Sequence, residues 1–272
     1  MVTTIITPPK GITGINLRGI WNFRDLLVLL IWRDITIRYK QTIIGASWAV
    51  LQPFLTMVVF SIFFGRFANI PSDGLPYPIF SYAGLLPWTF FAGGMKRASD
   101  SLVGNSSLIS KVHFPRVILP ISSVAAGLVD FAVAFVVLLG MMLYYQIPIS
   151  LDVLWLPLFL LVAFITALGA GLWLSALNVK YRDIRYMMAF LTQLWLYATP
   201  VIYPVTLLRG TWKLLVSLNP MTGVVEGSRW AVLGSGVAPS GIFWASVALS
   251  LLMLATGLVV FHRMERSFAD IV

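Results

Sequence analysis

The residues best suited to chemistry in this chain are cationic and clustered. Within WRDITIRYKQTIIGASWAVLQPF, running from Trp32 to Phe54, Arg33, Arg38 and Lys40 stand beside Trp32 and Tyr39, immediately ahead of a membrane-length apolar run. Guanidinium and ammonium groups among aromatic rings are what an interfacial helix presents to anionic headgroups or to a phosphate-bearing ligand. The chemistry on offer is recognition of negative charge at a membrane surface. Groups that make or break bonds are scarce. The chain has no cysteine, which removes disulfides, thiolate metal sites and cysteine nucleophiles. Its two histidines, His113 and His262, fall beside expected membrane boundaries and read as interfacial side chains, and no histidine pair or carboxylate cluster has metal-ligand spacing. A Gly-Lys dipeptide is absent, so there is no Walker-type phosphate loop.

Two acids need an explanation. Asp130 lies well inside an apolar stretch, where an ionisable group demands a partner or an aqueous lining. Packing or capping of a neighbouring helix is favoured over proton coupling, because neither an intramembrane histidine nor an identifiable basic partner accompanies it. Glu226, in an irregular region nearer the C-terminus, either bonds freed backbone amides or lines an exit.

The elements that must position these groups are membrane helices. Of the 272 residues, 59% are hydrophobic and 11% charged, against about 25% charged in soluble domains. The net charge of +9 could suggest nucleic acid, but basic residues lying between apolar spans follow the positive-inside bias instead. Windows of about 20 apolar residues give six spans, near Ile43–Phe64, Ile79–Met95, Val117–Tyr145, Val153–Leu177, Met187–Tyr203 and Ile242–Phe261. The second can continue past Lys96 and Arg97, with those side chains snorkelling to the headgroups. Arg18, Arg24, Arg33, Arg38, Lys40, Lys96, Arg97, Lys111, Arg116, Lys180, Arg182, Arg185, Arg263 and Arg266 then share one side, while Arg66, Arg209, Lys213 and Arg229 take the other. Both termini are expected in the cytoplasm.

The fold expected is thus an all-α integral membrane protein, a single transmembrane domain over 1–272. Residues 1–42 form a cytoplasmic N-terminal region, 43–261 the six-span bundle, 204–240 an extracytoplasmic re-entrant segment and 262–272 a cytoplasmic tail. No cleavable signal is expected, since the run from Leu26 to Trp32 is short and lacks a small-residue cleavage site. Before the first span, Asn22 can cap an interfacial helix carrying Asp25 in its first turn and Phe23, Leu26, Leu27, Leu30 and Ile31 at helical spacing. Between spans five and six, Leu207, Leu208, Trp212, Leu215 and Val216 mark one short helix ending near Asn219 and Pro220, and a second runs toward Leu233. Helices of about a dozen residues cannot cross the core, so this pair dips in or lies flat. Asn219, Pro220 and Glu226 are its candidate outer-gate residues.

Small side chains recur every fourth residue at Ala163, Ala167, Gly171 and Ser175, a row that lets another helix approach, within one subunit or between two. Aromatic residues gather at Trp88, Phe90 and Phe91 and again at Trp195, Tyr197 and Tyr203. They read as interfacial belts and packing, or as flat apolar faces over which sugar rings slide.

Six stretches in this order resemble one family: WRDITIRYKQTIIGASWAVLQPF, AGLLPWTFF (Ala83–Phe91), NSSLISKVHFPRVILP (Asn105–Pro120), NVKYRDI (Asn178–Ile184), ATPVIYP (Ala198–Pro204) and LNPMTGVVEGSRWAVLG (Leu218–Gly234). The family is the type-2 ABC exporter permeases for polysaccharides and polyol phosphates, which include O-antigen, capsule and teichoic-acid permeases. The resemblance implies a bacterial or archaeal cytoplasmic-membrane protein that is not itself an enzyme. A second copy of the chain and two ATP-binding subunits would be its partners. Those subunits would hold ATP and Mg, with no cofactor in this chain. Its substrate would be a polyprenyl-diphosphate-linked glycan, its surroundings membrane lipid, and nucleic acid no partner. By the same likeness Ser107, Leu108, Lys111 and Phe114 contact the ATPase, and Arg182 and Asp183 form a second gate or coupling surface; the basic entrance itself makes Arg33, Arg38, Tyr39, Lys40 and Arg116 the groups expected to draw in the diphosphate. Trp88, Phe90, Phe91, Trp195, Tyr197 and Tyr203 would line the glycan path. The alternatives are an ABC permease for drugs or small lipids and an ion-coupled secondary transporter.

Overall fold

The computed structural model describes residues 17–40, 45–181, 183–236 and 238–271, and among these the chain is helical with no strand. Its α-helices are α1 Leu17–Asn22, α2 Arg24–Lys40, α3 Gly45–Phe60, α4 Tyr77–Gly104, α5 Ser106–Lys111, α6 Ile118–Ala125, α7 Gly127–Tyr144, α8 Leu156–Lys180, α9 Ile184–Ala198, α10 Thr211–Ser217, α11 Pro220–Leu233 and α12 Gly241–Ile271.

At the N-terminus the structure corrects the cap expected at Asn22. That residue closes α1 instead of opening α2, and Leu27 N donates to the Phe23 carbonyl at 3.0 Å, so helical bonding runs through the junction. Phe23, Leu26, Leu27 and Leu30 face the bundle. Trp21, Val28, Leu29 and Trp32 stay exposed on the other side. One flank of this segment therefore packs on the bundle while the other leaves tryptophans and aliphatic side chains uncovered.

The centre of the molecule is α8, packed between α4 and α12. Ala163, Ala167 and Ser175 are buried along it. A Cβ built on Gly94 of α4 would meet Ala167 Cβ at 3.4 Å, and Gly171 faces Ala98 in the same seam. The small-residue row therefore packs α8 onto α4 within one chain, by close backbone approach in place of large interlocking side chains. On the α12 side a hydroxyl pair, Thr166 and Ser250, meets at 2.7 Å.

Among the described residues four helices are long and apolar enough to cross a membrane: Ser47–Phe67, Ile118–Tyr144, Leu151–Lys180 and Gly241–Glu265. The first is α3 extended by a π-helical stretch, Ser61–Phe67. Six were expected. The remaining two candidates, α4 and α9, fall short for different reasons. In α4 the apolar run is diluted by tyrosines, glycines and prolines, and Lys96, Arg97 and Asp100 follow. At 15 residues, α9 is about 22 Å long, against a hydrocarbon core of about 30 Å.

Candidate functional site

Helical periodicity assembles a cavity of about 1060 Å³ between α3, α4, α7 and α9. Trp48, Gln52, Thr56 and Phe60 line it from α3 at four-residue steps, and Thr89, Gly93 and Arg97 do so from α4 at the same step. Gly127, Asp130, Phe131 and Ala134 of α7, with Ala189, Thr192, Gln193, Leu196 and Tyr197 of α9, follow the three-and-four spacing of one helix face. The walls alternate aromatic rings with hydroxyls and amides, so a ligand meets flat apolar surface and hydrogen-bonding groups side by side.

The cavity's cationic groups converge on one acid. Arg38, at the end of α2, pairs with Asp130 Oδ2, and the Tyr39 hydroxyl donates to Asp130 Oδ1 at 2.6 Å. Arg97 places Nη1 3.7 Å from the same Oδ2 and donates from Nε to the Ser123 carbonyl at 3.0 Å. Each of the three charged side chains keeps about a quarter of its surface exposed. Burial, then the bond to Asp130 and its negative charge, push the Tyr39 hydroxyl up to about 12 against the opposing pull of Arg38 and Arg97, so it stays a donor. Arg97 corrects an expectation: it turns inward to α7 instead of snorkelling outward, while Lys96 beside it is exposed. Asp130, for which no basic partner was legible, has two.

The other entrance candidates lie elsewhere. Arg33 bonds Asp34 at 2.8 Å and Asn105 Oδ1 at 2.8 Å, tying α2 to the residue that precedes α5. Arg116 donates to the Glu265 carbonyl and lies over Phe268, with its guanidinium carbon 6.0 Å from the ring centre. It holds the C-terminal helix. Lys40 is exposed at the end of α2.

A second charged cluster involves α11. Arg229 is fully buried and donates to three carbonyls, Phe80 O at 3.2 Å, Pro200 O at 2.6 Å and Val201 O at 2.5 Å. It also bonds Glu226 Oε1 at 3.0 Å, one helical turn away, and its guanidinium carbon stacks 3.8 Å from the Phe80 ring centre. A Cβ on Gly84 would lie 3.0 Å from that carbon, so only glycine leaves the space. Glu226 Oε1 accepts from Val205 N at 3.4 Å, one of the two roles considered for it. Asn219 caps α11 by accepting from Met221 N at 3.0 Å, accepts from Trp195 Nε1 at 3.0 Å, and donates to Thr199 Oγ1 at 2.8 Å. Pro220 takes the first position of α11, where its missing N–H costs nothing. The sequence tally had put Arg229 among outer-side loop charges; it is the most deeply buried cation described.

Of the six aromatic candidates, Trp88, Phe90 and Tyr197 line the cavity. Phe91 is buried edge-to-face on Trp195, ring centres 4.8 Å apart, and both pack away from it. The Tyr203 hydroxyl reaches the Tyr197 carbonyl at 3.4 Å. Trp48, Phe60 and Phe131 line the cavity without having been singled out, although the four-residue step of α3 could have found the first two. Among the coupling candidates, Ser107, Lys111 and Asp183 are exposed and Leu108 half-buried, Phe114 is buried in the core, and Arg182 lies outside the described residues. Among the described residues no three His, Cys, Asp or Glu side chains are grouped to hold a metal ion.

Four helices of membrane length, two of them walling a cavity lined by rings, hydroxyls and arginines, mark a multi-pass membrane protein with the chamber that a transporter needs. The chain belongs to the ABC-2 type transporter family, whose pattern it matches over residues 25–233. It is 29% identical over 258 residues to the O-antigen export system permease protein RfbA of Myxococcus xanthus, covering 93% of this chain and 97% of that protein. The protein of the same description from Klebsiella pneumoniae is 25% identical over 248 residues, covering 91% and 95%. The polysialic acid transport protein KpsM of Escherichia coli is 23% identical over 250 residues, covering 88% and 93%.

Proposed function

We propose that this chain is the membrane subunit of an ATP-driven exporter that carries a lipid-linked polysaccharide across the cytoplasmic membrane of a bacterium or archaeon. The observation that carries the reading is the cavity: rings from Trp48, Trp88, Phe90 and Tyr197 alternate with Gln52, Thr56 and Thr192, and the arginine pair stands at one part of its wall. Sugar rings bind through a C–H face and a hydroxyl rim, and walls of this kind offer a partner to each without a fixed, tight set of bonds. Arg38 and Tyr39 serve the diphosphate of the carrier, and the exported relatives' cargoes named above point the same way.

The chain is one transmembrane domain in which α4 and α9 complete six spans, with α10 and α11 re-entering from the outside and both termini in the cytoplasm. In a second copy, the exposed apolar faces of α3 with its π-helical extension and of α9, carrying Leu55, Val59 and Phe63 and Phe190 and Leu194, meet their counterparts and close the cavity into a path. Two ATP-binding subunits hold ATP and Mg and push on the exposed Ser107 and Lys111 side of α5 and on the segment around Asp183. The test is reconstitution. Vesicles containing this chain with an ATP-binding subunit should move a polyprenyl-diphosphate glycan on ATP addition. Uphill solute movement on a sodium or proton gradient, with this chain alone, would replace the reading with a secondary transporter.

A further inference from the structure

The arginines of the cavity are not idle, and what occupies them is an internal anion. Arg38 and Arg97 both face one carboxylate, Asp130, so among the described residues lining this part of the wall two guanidiniums stand against one acid. The pairing is uneven. Arg97 stands 3.7 Å from Oδ2, beyond hydrogen-bond range, and among the described residues its one side-chain hydrogen bond is the Nε contact with Ser123. That bond leaves both Nη nitrogens without a hydrogen bond among the described residues, on a side chain that lines the cavity. Two glycines make the seat: a Cβ on Gly93 would lie 2.9 Å from Arg97 Nη1, and one on Gly127 would collide with Nη2. Both glycines line the cavity. The fold thus spends two bare backbone positions on keeping a guanidinium flush with the wall, with donors to spare.

From this we infer that Arg97, Arg38 and Tyr39 form a site for a phosphate or diphosphate group, and that Asp130 is its resident stand-in, displaced when the phosphate arrives. A carboxylate offers two oxygens and one charge. A diphosphate offers more of both and matches two guanidiniums in bidentate fashion. Asp130 also links α7 to α2 by side-chain bonds, through Arg38 and Tyr39. Displacing it therefore frees α7 from the interfacial helix, so that occupancy of the site and loosening of the cavity's mouth are one event. The inference rests on the proposed export of a diphosphate-linked cargo, and adds Arg97 and Asp130 to the residues that handle it.

The test measures binding separately from export. Transporter purified with its ATP-binding partner is placed in phosphatidylcholine nanodiscs and titrated with a polyprenyl diphosphate, with polyprenol, phosphatidylglycerol and inorganic pyrophosphate as parallel arms. Polyprenyl diphosphate should bind and polyprenol should not. Asp130→Asn, which keeps an acceptor for Tyr39 but removes the competing charge, should bind roughly five- to tenfold tighter, and Arg97→Gln weaker by a similar factor. Equal or weaker binding by an assembled Asp130→Asn overturns the exchange. Should that variant fail to assemble, spin labels at Ile37 and Val136 in the otherwise unaltered chain decide: their separation should grow on adding the diphosphate, and an unchanged separation overturns it. A response to phosphatidylglycerol assigns the site to lipid headgroups, and one to pyrophosphate alone assigns it to a free anion. Binding as expected without glycan export removes the polysaccharide reading and leaves the site; export without binding removes the site.

Discussion

The two arginine–acid clusters use the same side chains for opposite ends. Around Arg229 the charges are sealed. The guanidinium has no exposed surface, each of its three nitrogens has an acceptor, and Glu226 is almost as buried. Around Asp130 every charged partner remains about a quarter exposed, and one of the two contacts is too long for a hydrogen bond. A buried ion is tolerable only when all its donors are satisfied, and removing one partner strands the other. A half-wetted ion pair can exchange its partner for water or a ligand at little cost. The first cluster is a bolt joining α4, the segment after α9, and α11, and the second keeps the exposure that an exchange of partners requires.

The comparison would break most visibly at the bolt. Arg229→Met should lower stability by about 3–5 kcal/mol, because it leaves Glu226 without a counter-charge and three carbonyls without a donor. Loss of assembled transporter and a lower unfolding midpoint in detergent are the readouts. If Arg229→Met unfolds no earlier than Arg38→Met, the two clusters are not different in kind. Pairing Arg229→Met with Glu226→Leu should recover part of the loss, since the stranded acid goes as well. A smaller blow to the same bolt comes from Asn219→Ala, which removes the cap of α11 and the acceptor of Trp195 together and should cost about 1–3 kcal/mol.

How much of this was legible beforehand differs between the clusters for a physical reason. The all-helical character and the small-residue row on α8 follow from local spacing, and the structure has them, whereas four helices of membrane length stand where six were expected, and Asn219 and Pro220, expected to close one short helix, open the next. Glu226 and Arg229 stand one turn apart, and that spacing was there to be read. Counting Arg229 as a loop charge concealed it, because a tally of cations by loop assumes that each reaches water. Asp130's partners were beyond local reading altogether. Arg38 and Arg97 come from 92 and 33 residues upstream along the chain, and whether Arg97 snorkels or turns inward depends on the rotation of α4 against α7. The one local clue is Gly93, a turn before Arg97 on the same face. The aromatic clusters were read as belts and packing or as a sugar track, and the structure divides them: Trp88, Phe90 and Tyr197 line the cavity, whereas Phe91 and Trp195 share their sequence neighbourhood but point into packing.

At the inner cluster the comparison is sharpened by separating stability from transport. Arg38→Gln should cost less stability than Arg229→Met, because its pair keeps about a quarter of its surface in water, while reducing ATP-driven glycan movement in reconstituted vesicles severalfold. Loss of fold and loss of transport in proportion would make Arg38 a structural residue like Arg229.

The smallest effect concerns Tyr39, whose hydroxyl is raised to about 12 from an ordinary value of about 10. A phenol raised on folding stabilises the native state most below the unfolded value and progressively less as pH climbs through the folded one. The stability gap between the unaltered protein and Tyr39→Phe should therefore stay level from neutral pH to about 10 and narrow only above it. Unfolding midpoints of the two proteins, taken at intervals up the alkaline range, give the curve. A gap that closes well below the ordinary tyrosine value would mean that Tyr39 is ionising there and that its bond to Asp130 does not hold the proton. The inner cluster would then lose the neutral donor that keeps its carboxylate in place while both arginines remain within reach of an incoming phosphate.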